Sequence, residues 1–196
     1  MKIIPFEQFS QFLPKRGVVL EVGCGYGYVA NYLSLESSDR VVIGNDPAKD
    51  RIEAAQQTVR DRKNIQFFAQ DCRELEINNL DGVVIADVLH HVPFPEQKRI
   101  LADVYTRLKP GGSLVMRETD IRISLRYFLF NYLLEYLLYF GSEKLNFRKA
   151  KEWREILESL GFQVHQIIPN SPFFPYITVL FVCSKTNGPR FGSTLP

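Results

Sequence analysis

Between residues 18 and 109, short runs rich in β-branched residues alternate with longer stretches whose apolar positions recur at helical spacing. That alternation is the pattern of βαβ units and predicts an α/β fold on a mostly parallel sheet. Strands are expected at 18–22, 41–45, 65–69, 82–87 and 113–118, with two late ones at 163–168 and 177–184, seven in all. Most of these runs are continuously apolar, as expected when helices cover both faces of the sheet. Helices are expected at 28–35, 48–62 and 96–108, the second opening after Asp46-Pro47 and the third after Pro95, because proline is tolerated at a helix start.

The pattern changes from Ile121 onward. Residues 125–140 are almost wholly apolar, interrupted by Arg126, Asn131 and Glu135, so a long apolar helix is expected within an insertion at 121–148, after the fifth strand. The apolar core falls short of the roughly 20 residues a membrane span requires, and each central charge opposes insertion by about 2.5–3.5 kcal/mol. A transmembrane reading is therefore rejected, and contact with a membrane surface stays open. A helix at 150–160 is expected to stop at Gly161. Residues 186–196 hold Gly, Pro, Ser and Asn without periodicity and are expected to form a mobile tail. The expected organisation is one domain at 1–185, with its core at 17–120 and the insertion at 121–148.

With 196 residues the chain is long enough for one domain with a sizeable core. A net charge of +2 gives no electrostatic footprint for nucleic acid, so the expected partner is a small molecule, with a monomer or homodimer as the state. Cys24, Cys72 and Cys183 lie far apart and form no CxxC pair, which points to reduced thiols and to neither zinc nor a disulfide framework. No metal is expected. The first residues offer no apolar h-region, and a cytoplasmic location is the expectation.

The sharpest chemical signal is VVLEVGCGYG at residues 18–27, where a strand ends at Glu21 and runs into Gly23, Gly25 and Gly27. Glycines there allow positive φ and let a ligand approach the main chain at the carboxyl end of the first strand. The pattern resembles the first motif of the class I S-adenosylmethionine-dependent methyltransferases, an acid, any residue, then Gly-x-Gly-x-Gly. That resemblance implies a Rossmann-like fold with S-adenosyl-L-methionine as cofactor. It implies a loop from Gly23 through Cys24 and Gly25 to Gly27 around the methionine part, with Glu21 helping to hold the amino end.

Further segments extend the resemblance over residues 17–120. Asn45-Asp46 ends the second strand, where the Asp46 carboxylate is placed to accept both hydroxyls of a ribose or to cap the following helix. In the family that position is the ribose-binding acid. Asp71-Cys72 follows the third strand, where the family places an acid toward the adenine amino group and the next backbone N–H toward the ring. Asp87 through His91 resembles the loop that closes over cofactor and substrate. His91, and after it His90, are candidates for proton transfer or for shaping the pocket, because imidazole titrates near neutrality. Leu108-Lys109-Pro110-Gly111-Gly112 resembles the turn before the fifth strand in small-molecule and quinone-type members. The implied function is methyl transfer to O, N or C of a small molecule, an apolar one among the candidates. The walls would be the His90–Phe94 loop, the Glu118–Asp120 strand end and the apolar helix 125–140.

Two alternatives stay open. Gly25-x-Gly27-x-x-Ala30 also satisfies a dinucleotide fingerprint, which would suit an NAD(P)-dependent oxidoreductase. A non-catalytic Rossmann-fold partner protein would keep the fold and lose the cofactor; the intact glycines and acids oppose that.

Overall fold

The computed structural model describes residues 6–120, 145–169 and 178–186. In chain order these form α1 (Phe6–Gln11), β1 (Gly17–Val22), α2 (Tyr28–Glu36), β2 (Arg40–Asn45), α3 (Lys49–Gln57), β3 (Ile65–Phe68), β4 (Leu80–Ala86), α4 (Phe94–Arg107), β5 (Leu108–Thr119), α5 (Ala150–Leu160), β6 (Phe162–Pro169) and β7 (Thr178–Lys185). The strands make one seven-stranded sheet in the order β3-β2-β1-β4-β5-β7-β6. Strands β1 to β5 run parallel, and β7 lies antiparallel between β5 and β6. The sheet is mixed and mostly parallel, as the alternating pattern predicts.

Period-two alternation sends neighbouring residues to opposite faces. Val19, Val42, Val84 and Val115 pack with Phe9 of α1, Leu33 of α2 and Ile52 of α3. Leu20, Val83, Ile85 and Met116 pack instead with Leu101 of α4 and with Trp153 and Leu157 of α5. Both faces are thus covered, which is why the central strands carry so few polar residues. Strand β1 pairs with β2 on one side and β4 on the other, so the winding direction reverses at β1. In open parallel sheets ligands bind at the carboxyl ends of strands at such a reversal.

Several boundaries differ from expectation. Helix α3 starts at Lys49 and ends at Gln57, not at 48 and 62. Its extension is stopped by Thr58, whose hydroxyl donates to Ala55 O at 2.6 Å, and by Arg60, which takes a φ of 54°. Helix α4 starts at Phe94, with Pro93 as its N-cap and Pro95 inside the first turn. The Lys109-Pro110-Gly111-Gly112 segment is not a turn before β5 but an irregularity within it: Leu108 pairs with Leu80 and Ser113 with Gly82. Gly111 there has a φ of 77°. Helix α1 had no counterpart in the sequence reading. The apolar helix expected at 125–140 and nearly all of the expected tail lie outside the described residues. Among the described residues no helix is long and apolar enough to cross a membrane.

Candidate functional site

The loop leaving β1 turns through three left-handed glycines: φ is 67° at Gly23, 52° at Gly25 and 74° at Gly27. They are not equivalent. A Cβ at Gly23 would stand 2.6 Å from Val88, and one at Gly27 would stand 2.5 Å from Phe67, so packing excludes side chains at both. A Cβ at Gly25 would meet nothing within 4 Å. Its missing side chain leaves bare backbone facing open space, as close approach by a ligand requires.

The loop is fastened to the tip of β2. Cys24 N–H donates to Asn45 O at 2.8 Å, and Gly27 N–H donates to Cys24 O at 2.8 Å. Gly25 N–H donates to Asp46 Oδ2 at 2.9 Å, while Asp46 Oδ1 accepts Ala48 N–H at 2.9 Å just ahead of α3. Asp46 therefore closes a turn just ahead of α3, whose N-cap Ala48 has no side-chain cap, and orients the glycine loop as well. The buried Asn45 amide donates to Gln70 O at 3.1 Å, and its Oδ1 is buried with no hydrogen-bond partner.

Glu21 projects from β1 toward the start of α2, where its Oε2 accepts Ala30 N–H at 2.7 Å. Burial pushes its carboxyl up to about 8; the Ala30 bond opposes that shift and the Asp46 charge adds to it. Burial, with Glu21 and Asp46 nearby, likewise pushes the Cys24 thiol above its ordinary range.

Asp71 follows β3 and so lies on the same rim as the glycine loop and Asp46. Its Oδ1 accepts both the backbone N–H and the Nε of Arg73 at 2.9 Å, and its Oδ2 accepts Nη2 at 2.6 Å. The Arg73 side chain holds the Asp71 carboxyl down at about 2, against a smaller opposing effect of burial. Arg73 also reaches Glu96 at the start of α4, at 2.5 Å. Cys72 is buried, and burial pushes its thiol up to about 12.

The tips of β4 and β5 carry a network of side chains. Asp87 has a φ of 56°, donates its N–H to Arg117 O at 2.9 Å and pairs with Arg117 Nη2 at 3.4 Å. Arg117 is itself buried, with Nε 3.3 Å from Thr178 Oγ1. Glu118, 1% exposed, accepts Val88 N–H at 3.1 Å and Leu89 N–H at 2.6 Å on Oε1. Its Oε2 lies 2.8 Å from His90 Nδ1. The His90 ring stacks on Phe147 at 5.2 Å and lies 4.2 Å from the His91 ring.

Gln97 gathers the surrounding backbone, donating to Leu89 O, Val92 O and Asn146 O while accepting from Arg148 Nε at 2.6 Å. Glu118 was foreseen only as part of a wall, and Arg117 and Gln97 were missed. The available signal was Arg117-Glu118 at the end of an otherwise apolar strand. Among the described residues no cluster suited to a metal ion occurs.

Residues 19–112 match the family model described as a methyltransferase domain. The chain is 25% identical over 114 residues to the carboxy-S-adenosyl-L-methionine synthase of Actinobacillus pleuropneumoniae serotype 5b (strain L20), covering 56% of this chain and 47% of that protein. It is 26% identical over 155 residues to the ubiquinone biosynthesis O-methyltransferase of Rickettsia canadensis (strain McKiel), covering 76% of this chain and 64% of that one. The chain spans about half the length of the first of these relatives. The crystal structure of an S-adenosylmethionine-dependent methyltransferase from Methanosarcina mazei superposes with a TM-score of 0.74 at 20% identity, covering 96% of this chain and all of that one, a likeness of fold.

Proposed function

We propose that the chain is a class I S-adenosylmethionine-dependent methyltransferase that transfers a methyl group from S-adenosyl-L-methionine to O, N or C of a small molecule, an apolar one among the candidates, a reading supported by the methyltransferase-domain match over residues 19–112 and by the relatives above. The observation that carries this reading is the bare backbone at Gly25, open above and tied to the acid that ends β2. The surrounding groups fit such a cofactor. They provide an unpartnered buried acceptor at Asn45 Oδ1 and two buried acids, Glu21 and Asp46, which suit a ligand carrying hydroxyls and positive charge. When bound, the cofactor supplies a methyl group already activated on a positively charged sulfur, so the protein's task is mainly alignment.

In this reading Gly23, Cys24, Gly25 and Gly27 hold the methionine part, with Glu21 beneath the loop. Asp46 is fixed by its two backbone donors, and each carboxylate oxygen keeps a further lone pair for the ribose hydroxyls. Asp71 and the Cys72 N–H flank the adenine, with Arg73 stiffening that carboxylate. Asp87 bounds the site on the β4 side. His91 and His90 orient the acceptor or take its proton. The name of the Rickettsia relative, an O-methyltransferase of ubiquinone biosynthesis, supports an oxygen acceptor on an apolar molecule. A dinucleotide fits less well, because the Ala30 amide in the first turn of α2, where a pyrophosphate would bind, is already held by the acid Glu21.

Calorimetric titration with S-adenosylmethionine tests the reading. Wild-type protein is expected to bind, and Asp46→Ala to bind about tenfold to a hundredfold more weakly through lost charge-assisted bonds. No heat and no thermal shift at millimolar cofactor would remove the proposal.

A further inference from the structure

Glu21 and Asp46 are neighbouring buried acids, 3% and 6% exposed, at the tips of adjacent strands. Asp46 collects two backbone donors, Gly25 and Ala48. Glu21 collects one, Ala30. Among the described residues, the elements around Glu21 supply no cation to either acid. In the sheet Glu21 lies opposite Gly44 of β2 and Val84 of β4, neither of them titratable. From α2 comes the Ala30 amide, and from the loop the Cys24 thiol, held neutral by burial.

Two buried carboxylates with no cation cannot both be ionised cheaply, since each loses hydration and each repels the other. The proton belongs on the acid with fewer donors. That acid is Glu21, and the direction of its shift, upward by burial and by Asp46, agrees. A single N–H donor does not forbid protonation, because the carbonyl oxygen of a neutral carboxyl accepts it as well.

Resting on the methyltransferase reading above, we propose that Glu21 carries a proton in the cofactor-free chain at neutral pH and releases it when S-adenosylmethionine binds. The ligand brings a sulfonium and an ammonium against one carboxylate, a net charge of +1. The proton passes from the Glu21 carboxyl to solvent, and the site charge changes from that of one carboxylate to that of two. Cofactor uptake is thereby linked to pH through a residue that need not touch the transferred methyl group.

By linkage, affinity rises about tenfold per pH unit while Glu21 is protonated in the free chain and ionised in the complex. The test is calorimetric titration of wild-type protein with S-adenosylmethionine between about pH 5.5 and 7, where an α-amino group stays protonated, in buffers of widely different ionisation enthalpy. Expected are a buffer-dependent heat corresponding to release of about one proton near pH 7 and the tenfold slope.

Glu21→Gln keeps the acceptor for Ala30 and mimics the neutral acid, so it should bind with a flat pH dependence and no proton release. Wild-type binding without buffer-dependent heat would overturn the inference and leave the methyltransferase reading standing. So would proton release that persists in Glu21→Gln. No binding at any pH would overturn the reading and the inference together.

Discussion

The tips of β1 and β2 and the tips of β4 and β5 lie side by side on one rim of the sheet and are built in opposite ways. At the first, the acids are met by main-chain amides: Ala30 for Glu21, Gly25 and Ala48 for Asp46. At the second, side chains meet side chains, Asp87 with Arg117 and Glu118 with His90. Backbone donors neutralise no charge, so the first region keeps excess negative charge and a bare loop for a cationic ligand. The second ties its acids to side chains and fixes a loop. Binding and shaping are thus divided between neighbouring strand ends.

The largest expected effect tests the shaping region. Glu118→Ala removes the acceptor of two backbone amides and the partner of a buried imidazole nitrogen, each costing about 1–3 kcal/mol, so urea denaturation should show a loss of at least about 3 kcal/mol. A loss below about 1 kcal/mol would mean that Glu118 does not anchor the loop after β4.

A pair of glycine substitutions then separates packing from binding. Gly27→Ala drives a Cβ to 2.5 Å from Phe67 and 3.1 Å from Ala55 and should cost more than about 2 kcal/mol. Gly25→Ala should cost only the left-handed backbone penalty, about 1–2 kcal/mol, yet weaken S-adenosylmethionine binding at least tenfold. Equal stability losses with unchanged cofactor affinity in Gly25→Ala would erase the distinction between the two glycines.

The smallest effect concerns Asp71, partly exposed and clamped by Arg73. Its folded-state pKa of about 2 lies below the ordinary 3.8, so its contribution is full above about pH 4 and disappears as pH falls through 2. Because the pair is partly exposed, Asp71→Asn should lose less than about 1 kcal/mol at neutral pH, and acid denaturation curves of the two proteins should converge near pH 2. Curves separated equally at all pH values would assign the effect to something other than this carboxylate.

Much of the first region was legible in the chain, because its determinants are local. A strand, an acid and spaced glycines occupy consecutive residues, and Asp46 and Asp71 each follow a recognisable apolar run. In the second region Asp87, His90, His91 and Glu118 stood out as positions, whereas their bonds were hidden because these join residues far apart in sequence, such as Glu118 with His90 and Gln97 with Asn146. Helix α1 escaped notice because six residues, FEQFSQ, are too short to display a period; Phe9, fully buried against the sheet, sets its place. Helix α3 was read too long because Thr58 to Arg62 has helical composition, whereas Arg62 is drawn back to the carbonyls of Val59 and Thr58.

The most direct test of the central claim, that the glycine loop and the β2 tip form the cofactor cradle, is an amide chemical-shift titration of the isotope-labelled chain with S-adenosylmethionine. The largest shifts are expected at Gly23, Gly25 and Gly27 and at Asn45 and Asp46, with smaller ones at Cys72. Saturable shifts confined to residues remote from this rim, with those five amides unmoved, would contradict it.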